Sequence, residues 1–170
     1  YHRERLIRHI ADTIDLYSDV TLTKGILDVL DHSAEKPLYG SKLGIDATER
    51  ITGEEPRSLE SLHGTMSSPS LAHELNNLDE SFTGAVTLLD ECRNRVIALK
   101  AMKSPGKNSR FFMERIKHSH LVSEGIFLIL DHEIDLSNHS VILWKLFNNV
   151  DPSRDILLEK GCVIIDATKK

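Results

Sequence analysis

The chain has 170 residues, 40% hydrophobic and 28% charged, and its 21 basic and 26 acidic side chains leave a formal net charge of −5 at pH 7. This composition is that of a globular protein and argues against wholesale disorder. The acidic balance argues against a general binder of nucleic acid or anionic membranes, because such proteins need a basic face. Two cysteines, Cys92 and Cys162, are too few for a disulfide framework.

The first predicted element is an amphipathic helix that begins near residue 2. The apolar residues that recur in it at helical spacing, and that we expect to face the core, are Leu6, Ile7, Ile10 and Ile14. A turn over residues 15–19 and a β-strand over residues 20–24 follow. Because the chain opens on Tyr1 and reads as helix at once, we expect a fragment of a longer polypeptide.

The sequence after residue 51 predicts a polar linker up to residue 81 and regular strands and helices from residue 82 onward. Residues 52–81 are rich in glycine, proline and serine, which predicts a polar linker or long surface loop. The elements predicted after it are strands over 85–89 and 95–101 joined as a hairpin, a helix over about 107–117, a strand over 126–130, a helix over 141–149 and a strand over 156–158. This alternation predicts an α/β fold with a mixed, mostly parallel sheet flanked by helices.

Two distant segments of the chain repeat one another. Residues 14–25 align without gaps on residues 150–161, and both continue to the word Ile-Asp-Ala-Thr. The aspartates of the shared pattern are Asp15, Asp19 and Asp46 in the first repeat and Asp151, Asp155 and Asp166 in the second. We therefore expect the tail of a first repeat over residues 1–51, a linker over 52–81 and a second repeat with head and tail over 82–170.

One candidate site is the Asp151 to Asp155 turn, in which two carboxylates flank Arg154. Such a turn is suited to binding an ion or a substrate, or it is a local helix-to-strand turn with a local ion pair. The first repeat keeps both aspartates but has Ser18 where the arginine would be, which favours the structural interpretation.

Other polar groups offer further sites. Asp131 directly follows a buried strand, where α/β proteins bind ligands. The candidates for a metal site are the pair His118 and His120 and the pair His132 and Glu133, but each pair lacks a third ligand at a set spacing, which is more typical of surface histidines. The turn at residues 104–106 is either a phosphate-binding turn or a solvated basic turn. Four cations surround it: Lys100, Lys103, Lys107 and Arg110. Trp144 lies among apolar helix residues and predicts a core or interface position.

Several of these sequence motifs together resemble the C-terminal region of the UbiD family. Members of this family are prenylated-flavin-dependent carboxy-lyases that act on 4-hydroxybenzoate-type and related unsaturated acids. The matching stretches are residues 27–33, 40–48, 96–100, 104–107, 126–135 and 144–155. The resemblance implies a layered C-terminal domain that mediates oligomerisation and closes the active site. It places the catalytic residues and the metal ligands upstream, so we expect none in this chain. Lys103, with Lys100 as the alternative, would correspond to a flavin-phosphate contact.

The resemblance also implies what the parent protein does. The parent would decarboxylate an aromatic or unsaturated acid in quinone biosynthesis, using prenylated FMN with a divalent metal, Mn or Mg, and potassium. Its implied partners are a second copy of itself in a homo-oligomer and the flavin prenyltransferase that supplies the cofactor. A cytoplasmic location is implied, with membrane association as an alternative for a quinone precursor. We expect the isolated chain to be inactive.

Two other functions stay open at this point. The first is a non-catalytic module, a duplicated and diverged domain that only assembles subunits. The second is an unrelated α/β phosphatase or nucleotide-binding domain, which would need Asp131 as a ligand-binding group.

Overall fold

A computed structural model describes residues 2–28, 37–53, 68–89, 91–119, 125–159 and 161–169. Its elements in chain order are α1 (His2–Thr13), β1 (Val20–Leu27), β2 (Tyr39–Ile45), α2 (Ser68–Leu78), β3 (Phe82–Leu89), β4 (Val96–Ala101), α3 (Ser109–Lys117), β5 (Gly125–Asp131), α4 (His139–Asn149), α5 (Pro152–Asp155), β6 (Ile156–Glu159) and β7 (Cys162–Asp166). No helix in these ranges combines the length and the apolar character that crossing a bilayer requires.

Five strands form the central sheet in the order β3-β4-β5-β7-β6. The two inner pairs, β4 with β5 and β5 with β7, are parallel, and the two outer pairs are antiparallel. β5 is buried on both faces, since Phe127 and Ile129 pack on one side while Leu128 and Leu130 pack on the other. The predicted mixed α/β sheet is confirmed, with its parallel pairs at the centre.

Helices cover both faces of this sheet. α2 and α3 pack on the face that carries Leu99 and Phe127, whereas α1 and α4 pack on the face that carries Ala98 and Leu128. The predicted linker over residues 52–81 is wrong for the part that forms α2. In α2, Leu71 and Leu75 lie one helical turn apart and are both buried. The remainder of that stretch, residues 54–67, lies outside the described residues.

The C-terminal end of α1 attaches the first repeat to the sheet. Ala11 and Ile14 are buried in the same cluster as Ala98 and Leu128. The helical spacing predicts that Leu6 also faces the core, but Leu6 is 60% exposed. The buried residues of α1 lie in its last turns, so among the described residues the core does not extend to Leu6.

The two repeats also pack against each other. α5, in the turn of the second repeat, contacts both β1 and β2 of the first. In return, the Tyr17 ring of the first repeat lies against Gly161, where a Cβ atom would come within 2.8 Å of it. Gly161 also has a φ of 77°, so both the space and the backbone conformation require glycine there.

The burial of both cysteines gives a test of this packing. Burial raises the pKa of Cys162 to about 12, and burial followed by the nearby Asp12 raises the pKa of Cys92 to about 11. Because the thiolate is the reactive form, we expect Ellman's reagent to leave both thiols unmodified at about pH 8 and to label both in concentrated guanidinium chloride. Rapid labelling of native Cys162 would contradict the position of β7 between β5 and β6.

Candidate functional site

The carboxyl ends of three neighbouring parallel strands bring predicted site residues together. Lys103 lies two residues after β4, Asp131 ends β5 and Asp166 ends β7. Ligands of open α/β sheets bind at this edge, so we call the group formed by these three residues, Thr168 and Lys145 the carboxyl-edge cluster.

Asp166 is the most buried acid of the cluster, with no exposed surface. Its Oδ1 accepts hydrogen bonds from the Thr168 amide at 2.9 Å and the Thr168 hydroxyl at 2.6 Å. Its Oδ2 lies 3.4 Å from the Lys103 Nζ. The repeated Asp-Ala-Thr word is therefore a tight turn in which the threonine closes back on the aspartate, and in the second repeat this turn is buried with a cation beside it.

The Lys103 ammonium already contacts three oxygen atoms of the chain. Besides Asp166, it donates to the Ser109 hydroxyl at 3.0 Å and lies 3.5 Å from the Lys169 carbonyl. An ammonium has three protons to donate, so a contact with a flavin phosphate would require Lys103 to give up one of these partners. This arrangement favours a positioning role for Lys103.

Lys100, the alternative, lies beside different groups. The aliphatic part of its side chain packs close to Gly84. Hydrogen bonds from the Ser137 amide and hydroxyl hold the pKa of Asp135 below its ordinary value, and the charge of Lys100 contributes in the same direction. The structure thus places Lys100 near Asp135.

Asp131 connects two segments that follow it in the chain. One carboxylate oxygen lies 2.8 Å from the Lys145 Nζ of α4, and the Lys169 amide donates to both carboxylate oxygens at 3.0 and 3.1 Å. These contacts hold α4 and the segment after β7 together. They favour a structural role over the ligand-binding aspartate that a phosphatase would need.

The two Asp-x-x-x-Asp turns have the same hydrogen bonds. In the second repeat the Asp151 amide donates to the Asp155 carboxylate at 2.9 Å, and the Ser153 amide donates to Asp151 at 2.8 Å. The first repeat has the corresponding bonds, at 2.7 Å from the Asp15 amide to Asp19 and at 2.9 Å from the Tyr17 amide to Asp15. The shared sequence pattern therefore encodes one local structure.

A guanidinium binds the second aspartate in both turns, but it comes from different places. In the second repeat Arg154 donates to Asp155 from Nε at 2.9 Å and from a terminal nitrogen at 2.8 Å. In the first repeat, where Ser18 replaces the arginine, Arg50 forms the ion pair with Asp19. Sequence reasoning missed Arg50, because its only signal was a cation two residues after the Asp-Ala-Thr word. The substitution of one arginine by another favours a structural role for Arg154.

The hairpins after these turns also share their register. Val20 pairs with Ile45 in the first repeat, and Ile156 pairs with Ile165 in the second. Both hairpins end in the Asp-Ala-Thr turn, since Asp46 accepts from the Thr48 amide at 3.0 Å and from its hydroxyl at 2.7 Å. The hydroxyl of Thr48, followed by its amide, holds the pKa of Asp46 below the ordinary value.

The remaining candidates are occupied by neighbours in the chain. Lys107 lies 2.8 Å from Asp79. Burial alone would raise the pKa of Asp79, but hydrogen bonds from Lys107 and Ser81 lower it below its ordinary value. Arg110 pairs with Glu114 at 2.8 Å. The turn at residues 104–106 is thus a basic turn whose charges are compensated locally.

The predicted histidine site has no set of ligands around it. His118 lies 3.4 Å from Glu114 and His132 lies 3.1 Å from Glu133, while His120 is outside the described residues. Across the described ranges, no three histidine, cysteine or acidic side chains are grouped so as to hold a metal ion.

An apolar cavity of about 1300 Å³ lies on the α1 and α4 side of the sheet. Its lining includes Leu43 of β2, Leu128 of β5, and Leu146 and Phe147 of α4. Phe147 is 77% exposed and its neighbour Trp144 is 58% exposed. Of the two positions predicted for Trp144, core or interface, the structure excludes the core.

Comparison with known proteins gives three kinds of similarity. A family model described as the 3-octaprenyl-4-hydroxybenzoate carboxy-lyase C-terminal domain matches residues 80–168. Uncharacterized proteins from two strains of Helicobacter pylori are each 29% identical over 156 residues, which is 88% of this chain. The chain spans 23% of the length of these relatives.

Solved structures are similar over part of the chain. An evolved dimeric form of the UbiD-class enzyme HmfF from Pelotomaculum thermopropionicum, in complex with prFMN, has a TM-score of 0.49 and 17% identity over 59% of this chain and 24% of that one. The vanillic acid decarboxylase of Sedimentibacter hydroxybenzoicus in open form, with truncated ShVdcD, has a TM-score of 0.47 and 18% identity, and the match covers 61% of this chain and 26% of that one.

Proposed function

The chain belongs to the UbiD family through the C-terminal domain that its residues 80–168 form, and on that premise we propose that it is the C-terminal portion of a carboxy-lyase that acts on an aromatic or unsaturated acid. The family match carries this proposal. The description of the matched domain names 3-octaprenyl-4-hydroxybenzoate, which supports a role of the parent protein in quinone biosynthesis.

The cofactor of the parent would be prenylated FMN with Mn or Mg and potassium, and the described residues do not fit a site for it. They contain no metal-binding group of three side chains, and Lys103 is bonded to three oxygens of its own chain. We therefore propose that the metal ligands lie in other parts of the parent. The contact of Lys103 or Lys100 with a flavin phosphate stays a prediction.

The carboxyl-edge cluster has a structural task in this proposal. Asp131 and Asp166 hold the segment after β7 to β4, β5 and α4. The proposed result is a rigid domain that packs beside the active site of the parent, where closure excludes water from the reaction. The chain holds the tail of a first C-terminal repeat over residues 1–51 and a second repeat over residues 82–170.

The proposal is tested by measuring release of carbon dioxide. The longer polypeptide, produced together with a flavin prenyltransferase, is incubated with carboxyl-labelled 4-hydroxybenzoates and related unsaturated acids. We expect labelled carbon dioxide from the longer polypeptide and none from the isolated 170-residue chain with the same cofactor. Turnover by the isolated chain would overturn the assignment of the chemistry to other parts, and a longer polypeptide inactive on every acid would overturn the proposed activity.

A subunit-assembly module without catalytic function is the second candidate, because α4 carries two exposed aromatic side chains, Trp144 and Phe147, three residues apart. Aromatic side chains of this kind are enriched at protein interfaces. Sedimentation equilibrium of the cofactor-free chain distinguishes this candidate. A homo-oligomer that Phe147→Glu dissociates would support assembly through α4, whereas a monomer at every concentration would contradict it. We propose a cytoplasmic homo-oligomer in either case.

A further inference from the structure

The two repeats share their local structure but differ in what covers them. Leu6 of the first repeat occupies the position that Ile142 has in the second, and these residues are 60% and 2% exposed. Ile45 corresponds to Ile165, and these are 43% and 6% exposed. These two residues of the first repeat are thus exposed where their counterparts in the second repeat are buried.

The difference follows from the neighbours of the last strand. In the second repeat, β7 lies between β6 and β5. The Ala167 amide donates to the Ile129 carbonyl, and the Gly125 amide of β5 donates to the Gly161 carbonyl, each at 2.9 Å. The backbone groups of alternate residues point to opposite edges of a strand. The amide and carbonyl groups of the odd-numbered residues of β7 therefore point toward β5.

In the first repeat, β2 pairs with β1, and no other described strand pairs with it. The Asp46 amide donates to the Asp19 carbonyl at 2.9 Å, so the even-numbered residues face β1. Leu43 and Ile45 therefore present their amide and carbonyl groups to the opposite edge of β2. An unpaired edge of this kind is a template for another strand.

The apolar cavity lies along this same edge. Leu43 and Ile45 line it from the β2 side, and Phe147 lines it from α4. Phe147 is 77% exposed, while its counterpart Ala11 is 1% exposed, because Ala11 packs in the apolar cluster on the central sheet. Ile45 of the first repeat and Phe147 of the second are thus both exposed at the lining of one cavity.

We propose that the odd-numbered edge of β2 is a docking site for an extended apolar strand of the β5 type, which pairs with β2 in the parallel direction and covers the cavity beside Phe147. The occupant is a segment of the longer protein outside residues 1–170, of which relatives have ample length, since the chain spans 23% of theirs. A second copy of the chain is disfavoured, because its own β5 is already paired on both edges.

The probe for this site is a peptide of residues 124–132 with added lysines at both ends and a fluorescent label. We expect saturable binding to the 170-residue chain by fluorescence anisotropy, because strand addition supplies backbone hydrogen bonds as well as apolar contacts. A peptide with proline in place of its Leu128 should not bind. Failure of the unmodified peptide to bind would overturn the proposal.

Variants of the chain locate the binding edge. Ile45→Lys should weaken peptide binding at least about tenfold, because it places a charge on an apolar contact surface. Ile51→Lys, at a residue that is 68% exposed outside the strand, is the matched control and should leave binding unchanged. Ile45→Pro removes only the amide that faces the open edge and keeps the test valid should the lysine variant unfold.

Two outcomes would overturn this assignment. If Ile45→Lys and Ile45→Pro bind the peptide as tightly as the unsubstituted 170-residue chain does, the peptide binds away from the β2 edge. Sedimentation equilibrium without peptide tests the other occupant. If the unsubstituted 170-residue chain dimerises and Ile45→Lys does not, the edge would be assigned to a second copy of the chain. Neither outcome bears on carbon dioxide release by the longer polypeptide, so the proposed function is tested separately.

Discussion

Asp166→Ala should lower the free energy of unfolding by about 3 kcal/mol, because it leaves the buried Thr168 hydroxyl and amide and the partly buried Lys103 ammonium without their acceptor. Asp166 has no exposed surface, and Thr168, which is equally buried, donates two hydrogen bonds to it. The Lys103 ammonium would lose its carboxylate partner as well. Urea unfolding followed by circular dichroism measures the change.

Asp46→Ala is the matched control, because it removes the same two hydrogen bonds from the same Asp-Ala-Thr word. In the first repeat, however, both Asp46 and Thr48 are exposed. Water can replace the lost acceptor there, so we expect a loss below about 1 kcal/mol. Losses of equal size in the two variants would show that the turn of the second repeat is not enclosed by β4, β5 and α4.

Asn94→Ala is expected to release the end of α1 from the sheet, at a cost of about 2 kcal/mol. The Asn94 side-chain amide is buried and donates to the carbonyls of Ala11 and Ile14 at 2.9 and 2.8 Å. These are carbonyls at the end of a helix, which have no partner within it. Removal of the side chain therefore leaves the buried Ile14 carbonyl without this donor, while the Ala11 carbonyl keeps only the backbone amide of residue 94.

Limited proteolysis measures this release as faster cleavage within residues 1–20 than in the unsubstituted 170-residue chain. Asn138→Ala serves as the control, because Asn138 caps α4 at an exposed position and should cost about 1 kcal/mol without exposing α1. An unchanged cleavage rate in Asn94→Ala would contradict the attachment of α1 through this residue.

Local patterns in the sequence predicted β3, β4, α3, β5, α4 and β6 of the second repeat, but not α5 or β7. The apolar run of β5 and the periodicity of α4 are properties of short segments, and the structure has both elements where they were expected. α2 was missed because Ser68 and Pro69 are also typical of loops, although proline is equally compatible with the first turn of a helix. Only Leu71 and Leu75, which are buried, distinguish the helix.

Contacts between distant residues were not predictable in the same way. The pairing of Arg50 with Asp19 and the exposure of Leu6 depend on which surfaces meet after folding. The two repeats show most clearly that local structure follows from the sequence pattern whereas burial depends on distant contacts. Identical words give identical hydrogen bonds in the two turns, yet Asp46 is exposed and Asp166 is fully buried, because only the second turn lies against the central sheet.

We propose that residues 1–51 hold the tail of a first C-terminal repeat and residues 82–170 a second repeat with head and tail, and among the described residues only the second includes the five-stranded sheet. Amide hydrogen exchange of the 170-residue chain tests it most directly. The amides of Val163 and Ile165 face β5 and should exchange only through global unfolding. The counterparts at Leu43 and Ile45 should exchange at least about a hundredfold faster. Equal protection at the two pairs of positions would contradict the claim, because β2 would then be paired on both edges within this chain.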